Sequence, residues 1–318
     1  MQENLPTAIA EWFVDIPCDV GYIYRACDDE SFSPMIIPRK SLGQNFLRDK
    51  NISRKIVGAV HIRPGETIVE IGPGEGALTE LLVGQTDHLT VIEIDARAIE
   101  LLRDRFGPSL HIVHDDVLNV RLTSVLAEPG VKARVLGNIP YNITSEVLFW
   151  LIDQRALVAD ATLMVQREVA QRLIARPGTK EYGILSVMTQ LYLPPKLLFR
   201  VSAGSFFPRP AVESAVIRLD ASEPVPEHPN ELFRVLVRGT FGKRRKTLFN
   251  GLRSLGFQET DFEGCPLDLG RRPDELSVEE FLQLARFLEN RPVQFHTMAQ
   301  SWLNPNPRRR RARGSSGS

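Results

Sequence analysis

Within four residues, Asn138-Ile139-Pro140-Tyr141 joins an amide, a proline and a phenol. Pro140 has no N–H to continue a strand ladder, and Asn138 favours caps and turns, so the stretch is poor material for a sheet. It is well suited to holding a flat ring that bears an exocyclic amine. The Asn138 side-chain oxygen and the Pro140 carbonyl can both accept from one NH2, while Tyr141 offers a face to stack on. The lone pair of adenine N6 is delocalised into its ring, and two such acceptors would turn it toward an incoming methyl group. The chemistry indicated is methyl transfer to an adenine nitrogen, achieved by alignment and electrostatics rather than by a strong base. A tyrosine beside a strand is ordinarily a core aromatic. Its place next to Asn138 and Pro140 makes it a candidate here.

A methyl donor needs a cradle, and Gly72-Pro73-Gly74-Glu75-Gly76 supplies one between a β-branched run, Thr67–Ile71, and a helix expected over Ala77–Leu82. The Gly-x-Gly-x-Gly spacing is one residue shorter than the dinucleotide fingerprint. Glu75 and Glu80 stand at the helix entry, where a pyrophosphate would need a free positive field. A cationic ligand without phosphate fits better, and S-adenosylmethionine is that ligand. Glu93, at the end of a second strand, is placed to accept from ribose hydroxyls, and Asp116, after a third, from the adenine amine. A glycine turn alone is usually structural, and an acid after a strand is usually a cap. Four such features on successive strand ends, where open α/β sheets bind ligands, carry more weight.

The elements that must position these residues alternate. Strands are expected at Thr67–Ile71, Leu89–Ile94, Leu110–Val113, the run ending at Asn138, Ala161–Val165, Lys196–Val201 and Ala215–Leu219. Helices are expected at Ile52–Val60, Arg97–Arg105 and from Thr144. This is the α/β pattern of a doubly wound, mostly parallel, Rossmann-like sheet. Residues 35–221 are read as that domain, with Ser41–Leu47 as a loop. Ser222–Pro229 reads as a linker. Residues 230–290, with helices expected at Glu231–Phe241, Thr247–Leu255 and Val278–Leu288, read as a small helical domain. Residues 1–34 are expected to be a weakly ordered acidic extension, with Met35 as an alternative start. Residues 291–318 read as a basic, disordered tail ending in Arg308–Arg313 and a Gly-Ser run.

Net charge is zero over 318 residues, but residues 1–34 hold seven acids against Arg25 alone, leaving +6 on the remainder. The patterned part of the chain therefore suits a phosphate-rich partner. Cys18, Cys27 and Cys265 form no paired framework, and His111 and His114 would leave opposite faces of a strand, so no metal site is expected. No stretch is long and apolar enough to span a bilayer. A cytoplasmic monomer is expected.

Four motifs in order now carry a resemblance. Leu42-Gly43-Gln44-Asn45-Phe46-Leu47, Val69-Glu70-Ile71-Gly72-Pro73-Gly74, Asn138-Ile139-Pro140-Tyr141 and Phe206-x-Pro208-x-Pro210-x-Val212-x-Ser214 resemble the ribosomal RNA adenine N6-dimethyltransferase family, most of all its bacterial small-subunit branch. The likeness runs from about Arg39 to about Glu289. It implies a class I S-adenosylmethionine-dependent methyltransferase whose cofactor site is lined by Asn45, Leu47, Gly72, Gly74, Glu93, Asp116 and Asn138. It further implies that two adjacent adenosines near the 3′ end of 16S rRNA are each dimethylated. The target base must leave its stack to react, and Tyr141 with Phe206 could sandwich it. Lys243-Arg244-Arg245-Lys246, ahead of a helix carrying Arg253, reads as a phosphate-tracking RNA contact. Two alternatives remain: an enzyme acting on 23S rRNA, and a non-catalytic RNA-binding factor on the same scaffold. A nicotinamide dehydrogenase fits the sheet but not the glycine spacing.

Overall fold

A computed structural model describes residues 22–26, 32–126, 128, 130–227 and 230–291. Its centre is a seven-stranded sheet. In chain order the strands are β1 (Thr67–Ile71), β2 (Leu89–Glu93), β3 (His111–His114), β4 (Ala133–Asn138), β5 (Val158–Gln166), β6 (Pro195–Val201) and β7 (Ser214–Asp220). Their spatial order is β3-β2-β1-β4-β5-β7-β6. The first five run parallel, and β7 lies antiparallel between β5 and β6. The expected α/β class and mostly parallel sheet are what the chain adopts. The order reverses at β1, so β1 and β4 splay their following loops apart and open a crevice at their carboxyl ends.

Consecutive strand residues bury on opposite faces. Val69, Val135, Leu163 and Ile217 enter one apolar cluster, while Ile68, Leu136, Met164 and Val216 enter another. This two-sided burial explains why the strands read as continuous apolar runs. Helices α1 (Lys50–Val60), α2 (Thr79–Leu82) and α3 (Ala96–Phe106) follow the early strands, and α4 (Thr144–Asp153) follows β4. Asp49 caps α1 by accepting from the N–H groups of Asn51 and Ile52, and Asp95 caps α3 by accepting from Arg97 N. The second helix is shorter than expected, because Ala77 and Leu78 belong to the turn.

Two helices, α5 (Arg167–Leu173) and α6 (Ile184–Tyr192), fill the interval between β5 and β6, which the sequence reading leaves blank. Beyond the linker, α7 (Asn230–Phe241), α8 (Leu248–Ser254) and α9 (Val278–Leu288) form the expected helical region. Phe233, Leu236 and Phe281 join the same cluster as Val187 and Met188 of α6. The composition change near residue 222 therefore marks a change of element type within continuous packing.

The interval expected to be a loop before α1 contains a two-residue strand, Phe46–Leu47, paired antiparallel with Phe206–Phe207. Strands Tyr22–Ala26 and Phe32–Ile36 also pair antiparallel, and the second crosses the boundary expected at residue 34. Cys18, Cys27 and the Arg308–Arg313 run lie outside the described residues.

Candidate active site

The crevice is an open cleft. Asn45, Leu47, Gly72, Gly74, Glu93, Asp116, Asn138, Pro140 and Tyr141 all line it, so every expected cofactor-binding residue and every expected catalytic residue but Phe206 converges there. Five acids, Glu70, Glu75, Glu93, Asp115 and Asp116, also line it, and no Lys or Arg does. A wall of this charge repels a pyrophosphate and suits a sulfonium and an ammonium. The dehydrogenase alternative loses its last support.

The floor is the glycine turn after β1. Gly72 and Gly74 have φ of 62° and 56°, and a Cβ on Gly74 would lie 2.9 Å from the Phe46 ring, so only glycine fits there. Glu93 is 6% exposed at the end of β2. Its Oε2 accepts from Gly74 N at 3.1 Å, and its Oε1 from Ile94 N at 2.8 Å and Asp95 N at 2.9 Å. Burial pushes its carboxyl above the usual carboxylate range, against the pull of those three N–H groups. Asp116 caps the turn after β3 through Oδ1, which accepts from Leu118 N at 3.0 Å.

Sequence reading assigns Glu70 no role beyond a motif letter. It is 2% exposed on β1, accepts from Thr79 Oγ1 at 2.7 Å, and is pushed up to about 8 by burial, with Glu93 adding to the rise. Burial thus favours the protonated form of this carboxyl.

The catalytic stretch sits on the other wall. Asn138 Nδ2 donates to the backbone carbonyl of Asn45 at 2.9 Å, which fixes the amide and leaves Oδ1 as the acceptor. The loop bearing Asn45 is held in turn, because Gln44 Nε2 donates to Asp95 Oδ2 at 2.9 Å. The Tyr141 hydroxyl lies 2.7 Å from Ser214 Oγ at the start of β7, a fully buried residue. Burial pushes the tyrosine's pKa up, and the Ser214 hydrogen bond opposes the rise. The hydrogen bond at the hydroxyl anchors the far end of the ring.

Two expectations need correction. The Pro140 carbonyl accepts from Ile143 N at 3.1 Å and lies 3.2 Å from Thr144 Oγ1, whose hydroxyl also reaches the Tyr141 carbonyl at 3.4 Å, so it serves the turn into α4. Phe206 is 5% exposed, clusters with Val201 and the cleft residue Leu47, and does not itself line the cleft. Its neighbour Phe207 is the exposed ring, at 39%.

Lys243, Arg244, Arg245 and Lys246 occupy the turn between α7 and α8, and neither they nor Arg253 line the cleft. Arg244 is engaged internally: Nε donates to Asp274 Oδ2 at 3.1 Å, and Nη2 to the carbonyls of Thr179 and Lys180 at 3.2 and 2.9 Å. Lys243, Arg245, Lys246 and Arg253 are exposed. Among the described residues, no group of three His, Cys, Asp or Glu could hold a metal, and no helix is long and apolar enough to cross a membrane.

Residues 37–290 match the family model described as ribosomal RNA adenine dimethylase. The chain belongs to that family. The ribosomal RNA small subunit methyltransferase A of Chlorobaculum tepidum is 46% identical over 250 residues, covering 78% of this chain and 88% of that protein. Among solved structures, a 23S rRNA methyltransferase, ErmE, superposes with TM-score 0.57 at 28% identity, covering 77% of this chain and all of that one. A dimethyladenosine transferase from Plasmodium falciparum, at 24% identity and TM-score 0.65 over 79% of this chain and 99% of that one, shares the fold. Membership makes the chain a class I methyltransferase and an rRNA adenine dimethylase, with S-adenosylmethionine as the implied methyl donor.

Proposed function

We propose that this enzyme dimethylates N6 of two adjacent adenosines near the 3′ end of 16S rRNA during small-subunit biogenesis. The observation that carries the chemistry is the oriented Asn138 amide at an acidic, phosphate-repelling cleft. The small-subunit target is supported by the relatives named for that subunit at 42–46% identity.

S-adenosylmethionine supplies an activated methyl group when bound. Glu93, Asp116, Gly72, Gly74, Asn45 and Leu47 would hold it. Asn138 Oδ1 accepts a hydrogen bond from one N–H of the target amine. With the Pro140 carbonyl engaged in the turn, the carbonyl of Ile139, the preceding cleft residue, accepts from the other. Tyr141 stacks on the flipped base, and Lys243, Arg245, Lys246 and Arg253 track RNA phosphates. The likeness to ErmE keeps 23S rRNA as the competing target. Labelling immature 30S and unmethylated 50S particles, with the modified base mapped, separates the two.

A further inference from the structure

We propose that Phe207, braced by Arg48, is a stacking platform for the nucleobase that flanks the target adenosine. The proposal rests on the reading above that an RNA adenosine enters the cleft.

Side chains alternate across a strand. With Phe206 buried at 5%, Phe207 must face outward, and it is 39% exposed. Its strand partner is Phe46, which lines the cleft, so Phe207 stands beside the cleft wall. The chain then runs through exposed Pro208, Arg209, Ala211 and Val212 before Ser214 fastens it to the Tyr141 hydroxyl. This loop therefore connects the two walls that hold the target base. Phe207 and Val212 are two of five exposed large apolar residues among those described. Phe207 thus offers an apolar edge beside the cleft residue Phe46, with Val212 further along the same loop.

Arg48 gives that edge rigidity. Its guanidinium carbon lies 6.0 Å from the Phe46 ring centroid and 5.9 Å from that of Phe207. One nitrogen pairs with Glu75 Oε2 at 2.6 Å, tying the assembly to the glycine turn. The remaining Nε and Nη2 are buried without a hydrogen-bond partner and so depend on the rings for their attraction. One side of Phe207 is thus occupied by a cation while its exposed part is left for a partner. A flat base fits that face, and cations suited to neighbouring phosphates stand close in the chain. Arg209 is exposed two residues along. Lys50 and Arg54 are exposed on α1, whose start is fastened to the same loop by Arg48 N donating to Ser205 O at 2.8 Å.

The test uses the full chain and an RNA hairpin carrying 2-aminopurine in place of the base beside the target adenosine. Stacking on Phe207 quenches the probe. Phe207→Ala should abolish the quench and weaken RNA binding by about tenfold, the scale of one base–aromatic stack. The slope of log affinity against log salt should not change, because stacking neutralises no phosphate. Phe207→Tyr should keep both signals, Phe207→Leu neither, and S-adenosylmethionine affinity by equilibrium dialysis should be equal in all four proteins. Quench and affinity in Phe207→Ala or Phe207→Leu equal to the parent would overturn the platform while leaving the proposed function intact. Failure of the parent chain to bind or methylate the RNA would overturn that function, and the platform with it.

Discussion

Asn138 and Asn45 are 93 residues apart, yet the side-chain amide of one donates to the main-chain carbonyl of the other at 2.9 Å. An amide has two donors and one carbonyl oxygen, and tying down the nitrogen decides which end faces the cleft. The motif at residues 42–47 and the motif at residues 138–141 are therefore halves of one device.

Asn138→Ala should lower single-turnover methyl transfer by about a hundredfold or more, the usual cost of losing a preorganised polar partner at a reacting centre. RNA affinity should stay within about twofold, since phosphate contacts dominate it. Asn138→Asp keeps an acceptor but sets a carboxylate oxygen against the Asn45 carbonyl, so it should fail as well. Full turnover in the Asp variant would show that the tie to Asn45 is dispensable.

Ser214→Ala should push the Tyr141 pKa further up, because it removes the hydrogen bond that opposes burial. A phenol absorbance titration of variant against parent reads this directly. Methyl transfer should fall by about tenfold, the scale of a half-buried hydroxyl left without a partner. A Tyr141 titration identical to the parent's would mean that the hydroxyl pin does not form.

Glu70 gives a pH signature. It titrates near 8 when folded, against about 4.3 in an unfolded chain. The folded state keeps a proton that the unfolded state releases, so this group lowers stability as pH rises from about 4.3 to about 8. Glu70→Gln retains an acceptor for Thr79 and cannot titrate. Its thermal midpoint should gain on the parent's between pH 5 and pH 8, and parallel profiles would contradict the assignment.

The basic turn divides by what its members touch. Lys243, Arg245 and Lys246 are exposed, and changing all three to Ala should flatten the salt dependence of RNA binding by about two in slope. Arg244→Ala should instead lower the thermal midpoint by about 2–4 °C, since it releases Asp274 and two backbone carbonyls. An Arg244 variant of unchanged midpoint would return that residue to the RNA surface.

These outcomes also show where the sequence was sufficient. Helix α9 is legible to the residue because Ser277 and Glu280 form a capping box before an apolar stripe. Asn45, Gly74, Glu93, Asp116 and Asn138 share a cleft because each sits at or beside a strand end, and strand ends are visible as β-branched runs meeting turn residues. Helix α6 is harder, as its start is Gly183, which carries no side-chain cap. The roles of Phe206 and Phe207 cannot be told apart from a strand of two residues, which has no period to read. Nor does composition reveal that the Pro140 carbonyl faces Ile143 and Thr144. That depends on how tightly the chain turns after the proline.

The most direct measurement incubates the chain and tritiated S-adenosylmethionine with immature 30S particles and with 50S particles lacking their methyl marks, then maps the labelled bases by primer extension. The account predicts label on two adjacent adenosines near the 3′ end of 16S rRNA, lost in Asn138→Ala. Label on 23S rRNA alone, or transfer that survives Asn138→Ala, would contradict it.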